Sequence, residues 1–285
     1  MTPRDAFLRA CALDVAVRKP GNVSLVSPGH GMDAAQFVAS ADAAADALCE
    51  PGAAVGQRIE AAVAATQAAV GCNTNLGILL LCAPIARAAE DRARALRPAL
   101  EAVLAGLTLA DAAAAFRAIA LARPGGLGSA PSQDVRAPPS IDLRAAMALA
   151  AERDRIALQY RDGFGECFDL ALPALPRGFS LPCLAPGEHA DAVTTAAVQS
   201  LYLLLLSTRP DSHIVRKHGE AVAQNVMSAA QGWRARSAGA AALDADPAFA
   251  AWDRELKAGG TNPGTTADLT VATLMLAGLA PTRRP

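Results

Sequence analysis

Residues 109–122 read LADAAAAFRAIALA and contain four consecutive alanines, Ala112 to Ala115. Alanine is the best helix former, because its side chain loses no rotamer entropy when the backbone is ordered. The pattern therefore predicts a helix across these residues. Along the rest of the chain, hydrophobic residues reach 52% and aromatic residues only 4%. A core filled by Leu, Val and Ala suits closely packed helices, so we predict an all-α fold.

Helical periodicity continues along the chain, and no stretch has the strict alternation of a half-buried strand. The predicted helices cover residues 4–17, 33–49, 53–70, a segment starting near 74, 98–105, 109–122, 141–162, 163–172, 189–207, 212–236, 246–257 and 264–279. The stretch from Pro124 to Pro139 is rich in Gly and Pro, and we predict a long mobile loop there. Because its two flanks are alike in composition, we expect a single compact multi-helix domain over residues 1–285.

Charge and hydropathy exclude several functional classes. The formal net charge of −1 provides no field that would favour nucleic acid. The longest apolar run, from about Ala196 to Leu206, is shorter than the roughly 20 residues that cross a bilayer. The first residues lack the order of a secretory signal. Six cysteines without a Cys-x-x-Cys pair indicate reduced thiols. We therefore expect a soluble, cytoplasmic protein.

Two polar clusters stand out in the first quarter of the chain. Residues 19–24 read KPGNVS and are followed by His30 to Asp33, which places a lysine, an amide and a hydroxyl in one loop. Residues 71–77 read GCNTNLG, where Gly71 suits a left-handed helix end and Asn73 or Thr74 can cap the next helix. The alternative interpretations are a polar helix stop and a plain helix corner.

Two further clusters lie near the other end of the chain. Residues 211–220 read DSHIVRKHGE, so a helix beginning there carries His213 and Lys217 on one face. Such a group of cations can hold a polyphosphate, or it can be an ordinary solvated face. Residues 259–269 read GGTNPGTTADL, a glycine-rich turn before a helix, which fits a phosphate with its Mg²⁺ or a plain capped helix. The four clusters together predict a helical protein that binds an anionic small molecule.

These four clusters, in this order, resemble the triphosphoribosyl-dephospho-CoA synthase family from Lys19 to Leu279. The family's Lys-Pro-Gly turn and later Met-Asp correspond to residues 19–21 and 32–33, and its Gly-x-Asn-Thr segment to residues 71–74. Its Asp-(Ser/Thr) start of a basic segment corresponds to residues 211–212. Its Pro-Gly-x-x-Ala-Asp-Leu helix start corresponds to residues 263–269.

The resemblance implies an all-helical enzyme that joins ATP to 3′-dephospho-CoA. The 2′-hydroxyl of dephospho-CoA attacks the ribose C1′ of ATP and expels adenine, which requires a base, a proton donor and a site for the triphosphate with Mg²⁺. The resemblance assigns proton transfer to His213 or His218, Mg²⁺ to Asp33 and Asp268, and a catalytic role to Asp33. The substrate-binding set is Lys19, Asn22, Ser24, Asn73, Thr74, Asn75, Arg216, Lys217, Asn262, Gly264 and Thr265.

The chain departs from the family's usual pattern at two of these clusters. Asn73-Thr74-Asn75-Leu76-Gly77 stands where the family has Asn-Thr-His-Lys-Gly, and Val215-Arg216-Lys217-His218-Gly219 where it has Leu-His-Arg-Gly-Gly. This is similar to branches in archaea and in bacteria with methanopterin-type carriers. Transfer of a ribosyl phosphate to another cofactor precursor is therefore an alternative. The remaining alternatives are a non-catalytic nucleotide-binding protein, a scaffold and a metal-dependent nucleotide hydrolase. The apolar faces would permit a homodimer.

Overall fold

The computed structural model of the protein describes residues 1–130, 132–237 and 243–280, and helices account for its regular structure. No strand lies in these ranges, only two isolated bridges, Ser24–Ser27 and Gly29–Met32. The all-α prediction is confirmed. The helices are α1 (Pro3–Ala16), α2 (Ala34–Leu48), α3 (Val55–Val70), α4 (Leu76–Ala88), α5 (Leu96–Ala105), α6 (Leu109–Ala122), α7 (Leu143–Ala150), α8 (Arg155–Arg161), a π-helical turn (Glu166–Ala171) continuing into α9 (Leu172–Ala174), α10 (Ala192–Thr208), α11 (Ser212–His218), α12 (Glu220–Ser237), a 3₁₀ turn (Leu243–Ala245), α13 (Pro247–Ala258) and α14 (Gly264–Leu279).

The alanine-rich helix α6 begins at a capping box that also fixes its neighbour α3. The Thr108 hydroxyl accepts from the Asp111 amide, and the Asp111 carboxylate accepts from the Thr108 amide. Asp111 accepts a further bond of 2.8 Å from the Gly56 amide of α3. The two helices therefore pack closely, as small residues allow.

Three predicted helices have different boundaries in the structure. Residues 141–162 form two helices, because the Asp154 carboxylate accepts the amides of Ile156 and Ala157 and starts a new helix. Residues 212–236 are interrupted at Gly219, whose φ is 86°. The helix predicted over residues 163–172 is present, with a π-helical part (Glu166–Ala171) that continues into α9. The continuous helices predicted over residues 141–162 and 212–236 are wrong.

Two hydrophobic clusters form the interior. The main cluster collects the apolar faces of α1 to α6 around the almost entirely buried helix α4, and the second lies among α10 to α13. Helices α10 and α14 contribute residues to both clusters. Whether the chain forms a single domain, as expected, stays a prediction.

The Gly/Pro-rich stretch is irregular wherever the structure describes it, as predicted. No helix is assigned in residues 124–130 and 132–142. Asp134 organises part of this loop by accepting from the Ala130 amide and from the Arg136 side chain. The mobility of the loop stays a prediction.

Among the described residues, no single helix has both the length and the apolar character to cross a membrane. Helices α5 and α6, which form a bent pair, are together long and apolar enough, judged by length and composition alone.

Candidate active site

A cavity of about 470 Å³ lies where the four polar clusters of the sequence meet. Its walls come from α1 and the loop after it, the corner between α3 and α4, helices α2, α6, α7, α8 and α11, and the first turns of α14. The Gly/Pro-rich loop after α6 completes the lining with Pro124, Leu127, Gly128, Ala130, Ser132, Gln133, Asp134 and Val135. The predicted site residues that line this cavity are Asn22, Asn73, Thr74, His213, Arg216, Asn262, Gly264, Thr265 and Asp268.

Asp268 is the acidic group that α14 brings to the cavity. Burial raises the pKa of its carboxyl well above the usual value, and the negative charges of Asp14 and Asp211 raise it further. A side chain at Gly77 would overlap the Asp268 Oδ2 atom, so the absence of a side chain there leaves room for the carboxylate. Asp14, Asp134 and Asp154 bring further carboxyl groups to the same cavity.

Lys19 is fully buried beside the cavity and holds two of its lining residues. Its Nζ donates to the Asp14 carbonyl at 2.5 Å and to the Asn22 Oδ1 at 2.9 Å, and lies 3.1 Å from the Asp14 Oδ1. Burial raises the pKa of Asp14, and the Lys19 charge opposes that rise. Asn22 in turn donates to the Asn262 Oδ1 at 3.1 Å. This network links the loop after α1 to the loop before α14.

Gly21 allows those two loops to approach each other. Its φ is 81°, and a Cβ atom there would lie 2.7 Å from the Pro263 Cδ and 2.9 Å from the Thr261 carbonyl oxygen. A side chain would be strained by the backbone conformation and would also meet the facing loop.

His213 and Arg216 bring basic groups to the cavity from α11. Burial lowers the pKa of His213 to about 4, and the charges of Arg216 and Lys217 contribute to the decrease. Its imidazole is therefore neutral at pH 7, and its buried Nε2 has no hydrogen-bond partner among the described residues. Arg216 donates to the Asp154 carboxylate at 2.7 Å. Its buried Nε has no hydrogen-bond partner among the residues that the structure describes.

Asp211 connects the starts of α11 and α14. Its Oδ1 accepts from the His213 and Ile214 amides, and its Oδ2 accepts from the amide and hydroxyl of Thr266 at 2.7 Å. The carboxylate thus fixes the first turns of both helices beside the cavity.

Several predicted site residues lie outside the cavity lining. Asp33 is exposed and caps α2 through the Gln36 amide. Lys217 and His218 are exposed, and His218 contacts the Gly260 carbonyl at 3.0 Å. Lys19, Ser24 and Asn75 are buried and do not line the cavity. The roles assigned to these residues stay predictions.

Asp14, Arg153 and Asp154 line the cavity although the sequence analysis did not select them. Asp14 lies in the apolar stretch CALDVAV of residues 11–17, and an isolated carboxylate in such a stretch is the signal that could have identified it. Arg153 and Asp154 lie within the single helix predicted over residues 141–162. The sequence analysis therefore did not identify the corner between α7 and α8 on which they lie.

The described residues contain no group of three or more His, Cys, Asp or Glu side chains placed to hold a metal ion. Mg²⁺ commonly binds through one or two carboxylates and completes its shell with water and substrate phosphates. Asp14 and Asp268 fit that mode: burial and then the charge of Asp14 raise the pKa of Asp268, and a bound cation would stabilise both carboxylates.

Comparisons with known proteins bear on the fold and the family of the chain. No curated protein matches the chain. A solved structure from Archaeoglobus fulgidus, provisionally named a triphosphoribosyl-dephospho-CoA synthase, is similar in fold, with a TM-score of 0.65 and 24% identity over 85% of this chain and 97% of that one. The family model described as ATP:dephospho-CoA triphosphoribosyl transferase (CitG) matches residues 1–284. Because that model spans nearly the whole chain, the protein belongs to the ATP:dephospho-CoA triphosphoribosyl transferase family.

Proposed function

We propose that this protein transfers the triphosphoribosyl unit of ATP to the 2′-hydroxyl of dephospho-CoA and releases adenine. The observation that carries the proposal is the family match over residues 1–284. It is supported by the cavity, which combines carboxylates, a neutral imidazole and an arginine. Another cofactor precursor as acceptor is the alternative that the experiment below tests.

Arg216 and the first turn of α14 are the groups we assign to the triphosphate. The buried Arg216 Nε has no partner within the described ranges, and arginine pairs well with phosphate oxygens. Gly264 and Thr265 line the cavity at the start of a 16-residue helix, where backbone amides favour anions.

His213 is our candidate for the base that accepts the proton of the acceptor hydroxyl. Its imidazole lies at the cavity with an unpartnered Nε2, so a ring nitrogen is free to accept a proton. The charge of a bound triphosphate would raise the pKa of His213 from about 4 toward the working pH, where a general base is most effective. Asp14 and Asp268 would hold Mg²⁺, which would neutralise charge on the phosphates. The Asp268 carboxylate would also favour positive charge developing at the ribose carbon.

Adenine release tests the proposal directly. Pure protein is incubated with Mg²⁺, ATP and dephospho-CoA, and free adenine is measured by chromatography. We expect adenine only when dephospho-CoA is present, with a product whose mass equals dephospho-CoA plus the triphosphoribosyl unit. Folded protein that releases no adenine would contradict the proposed acceptor, and pterin precursors would then be tested.

Asp268→Asn should abolish Mg²⁺-dependent adenine release, because the amide cannot supply the negative charge. Asp33→Asn is the matched comparison, since asparagine also caps a helix well. Loss of turnover in the Asp33 variant alone, with Asp268→Asn active, would reverse the assignment of the metal-binding carboxylate. Both variants should keep the wild-type circular dichroism spectrum.

We also propose that the enzyme acts in the cytoplasm and forms a homodimer. Light scattering coupled to size-exclusion chromatography measures the mass in solution, and a monomer mass near 29.0 kDa would contradict the dimer.

A further inference from the structure

Two phenylalanines lie outside both hydrophobic clusters. The chain has seven phenylalanines, and Phe37 and Phe116 alone among them line the cavity without belonging to a cluster. Phe116 is 6% exposed. Large aromatic side chains that face a cavity are available to a ligand.

Phe116 belongs to a group of apolar lining residues on α6 and α7, the α6–α7 wall. Phe116 and Ile119 are three residues apart on α6 and share a face, and Met147 and Leu149 extend the wall on α7. At the mouth, Leu149 is 54% exposed and Leu127 is 43% exposed. The wall therefore runs from the interior of the cavity to solvent.

The chemistry of this wall differs from that of the rest of the cavity. Its side chains offer no hydrogen bonds, so a buried phosphate or purine edge would lose its bonds to water without replacement. An uncharged aliphatic group loses nothing there and gains burial. The polar groups on α11, α14 and the loop after α1 remain for phosphates and ribose.

We propose that the α6–α7 wall binds the aliphatic groups of an uncharged arm of the acceptor and thereby selects it. For dephospho-CoA this arm is the pantetheine portion, whose gem-dimethyl and methylene groups would lie against the wall. Its amides would bond to water at the mouth or to Ser132 and Gln133, which also line the cavity. The inference rests on the proposed function. The exposure of Leu127 and Leu149 at the mouth fits an arm that is joined to the reacting nucleoside through the diphosphate and extends toward solvent.

Pantetheine, which carries the arm without nucleoside or phosphate, is the probe. We expect it to inhibit competitively against dephospho-CoA and not against ATP. Leu149→Ser and Phe116→Ala should each raise its inhibition constant and the KM for dephospho-CoA about tenfold, with the KM for ATP unchanged. Leu109→Ser is the matched control, because Leu109 is a 49% exposed leucine on α6 outside the cavity.

Pantetheine competition against ATP, or a rise in the ATP KM in the wall variants, would overturn the inference. Unchanged dephospho-CoA KM values in both variants would also overturn it. Phe116→Leu replaces Phe116→Ala if that variant does not fold. Ligand-observed NMR with pantetheine needs no turnover, so loss of its signal in Leu149→Ser supports the wall even if adenine release fails.

Discussion

Gly77 and Asp268 form a pair in which one residue leaves space for the other. Gly77→Ala places a methyl group against the Asp268 carboxylate and 2.8 Å from the Ile156 Cδ1. We expect adenine release to fall about a hundredfold, because displaced catalytic groups lose alignment, and stability to fall by about 1–3 kcal/mol. Gly232→Ala on α12 meets no neighbouring atom and should be neutral or slightly stabilising. Equal behaviour of the two variants in turnover and urea denaturation would contradict this.

His213 predicts a pH dependence of stability. Its folded pKa of about 4 lies below the usual 6.5, so the unfolded chain binds the extra proton between these values. The contribution of His213 to the free energy of unfolding is therefore fully present above about pH 6.5 and is lost as the pH decreases toward 4. In urea denaturation, the free energy of unfolding should decrease between about pH 7 and about pH 5. This decrease should be about 2 kcal/mol larger for the wild type than for His213→Asn. The same pH dependence in both proteins would exclude this cause.

For individual residues, the sequence was informative where polar groups interrupt apolar helices. Asn22, Asn73, Asn262 and Asp268 line the cavity as expected of such segments. Asp14 gave a weaker signal, an isolated carboxylate in the apolar stretch of residues 11–17, because a single acidic residue within a helix is commonly on its solvated face. Only the packing of α1 against its neighbours places that carboxylate inside.

Asp211 acts at the scale of helices, because one carboxylate caps both α11 and α14. Asp211→Ala leaves both helix starts without their acceptor and should cost about 2–4 kcal/mol in urea denaturation. Asp191→Ala removes an exposed cap from α10 alone and should cost about 1 kcal/mol. A cost for Asp211→Ala no larger than that of Asp191→Ala would contradict the double role.

Helix identity was predictable from alanine and leucine periodicity, while helix interruptions were not. Gly71 ends α3 with a φ of 71°, as its position suggested. The breaks at Asp154 and Gly219 use local groups, a helix-capping carboxylate and a glycine of positive φ. The same residue types also lie inside continuous helices, as Asp42 in α2 and Gly232 in α12 do, so residue type alone did not identify the breaks.

At the scale of the whole molecule, the cavity receives residues from both hydrophobic clusters. Ile156 belongs to the main cluster and Ala267 to the second, and both line it. Mg²⁺ with ATP should therefore slow amide hydrogen exchange in α11 and in the first turn of α14. Helix α5, which contributes nothing to the lining, is the internal control. Equal slowing in α5, or none in α11, would contradict this placement of the nucleotide.

The bond between Asn22 and Asn262 joins residues 240 positions apart, and Gly21 contacts Asp253 over 232 positions. Contacts of such long range form late, because a large loop must close before they contribute. A nascent chain on the ribosome lacks one side of the site until α14 has emerged. We therefore expect chains that lack α14 to be unable to bind and consume ATP.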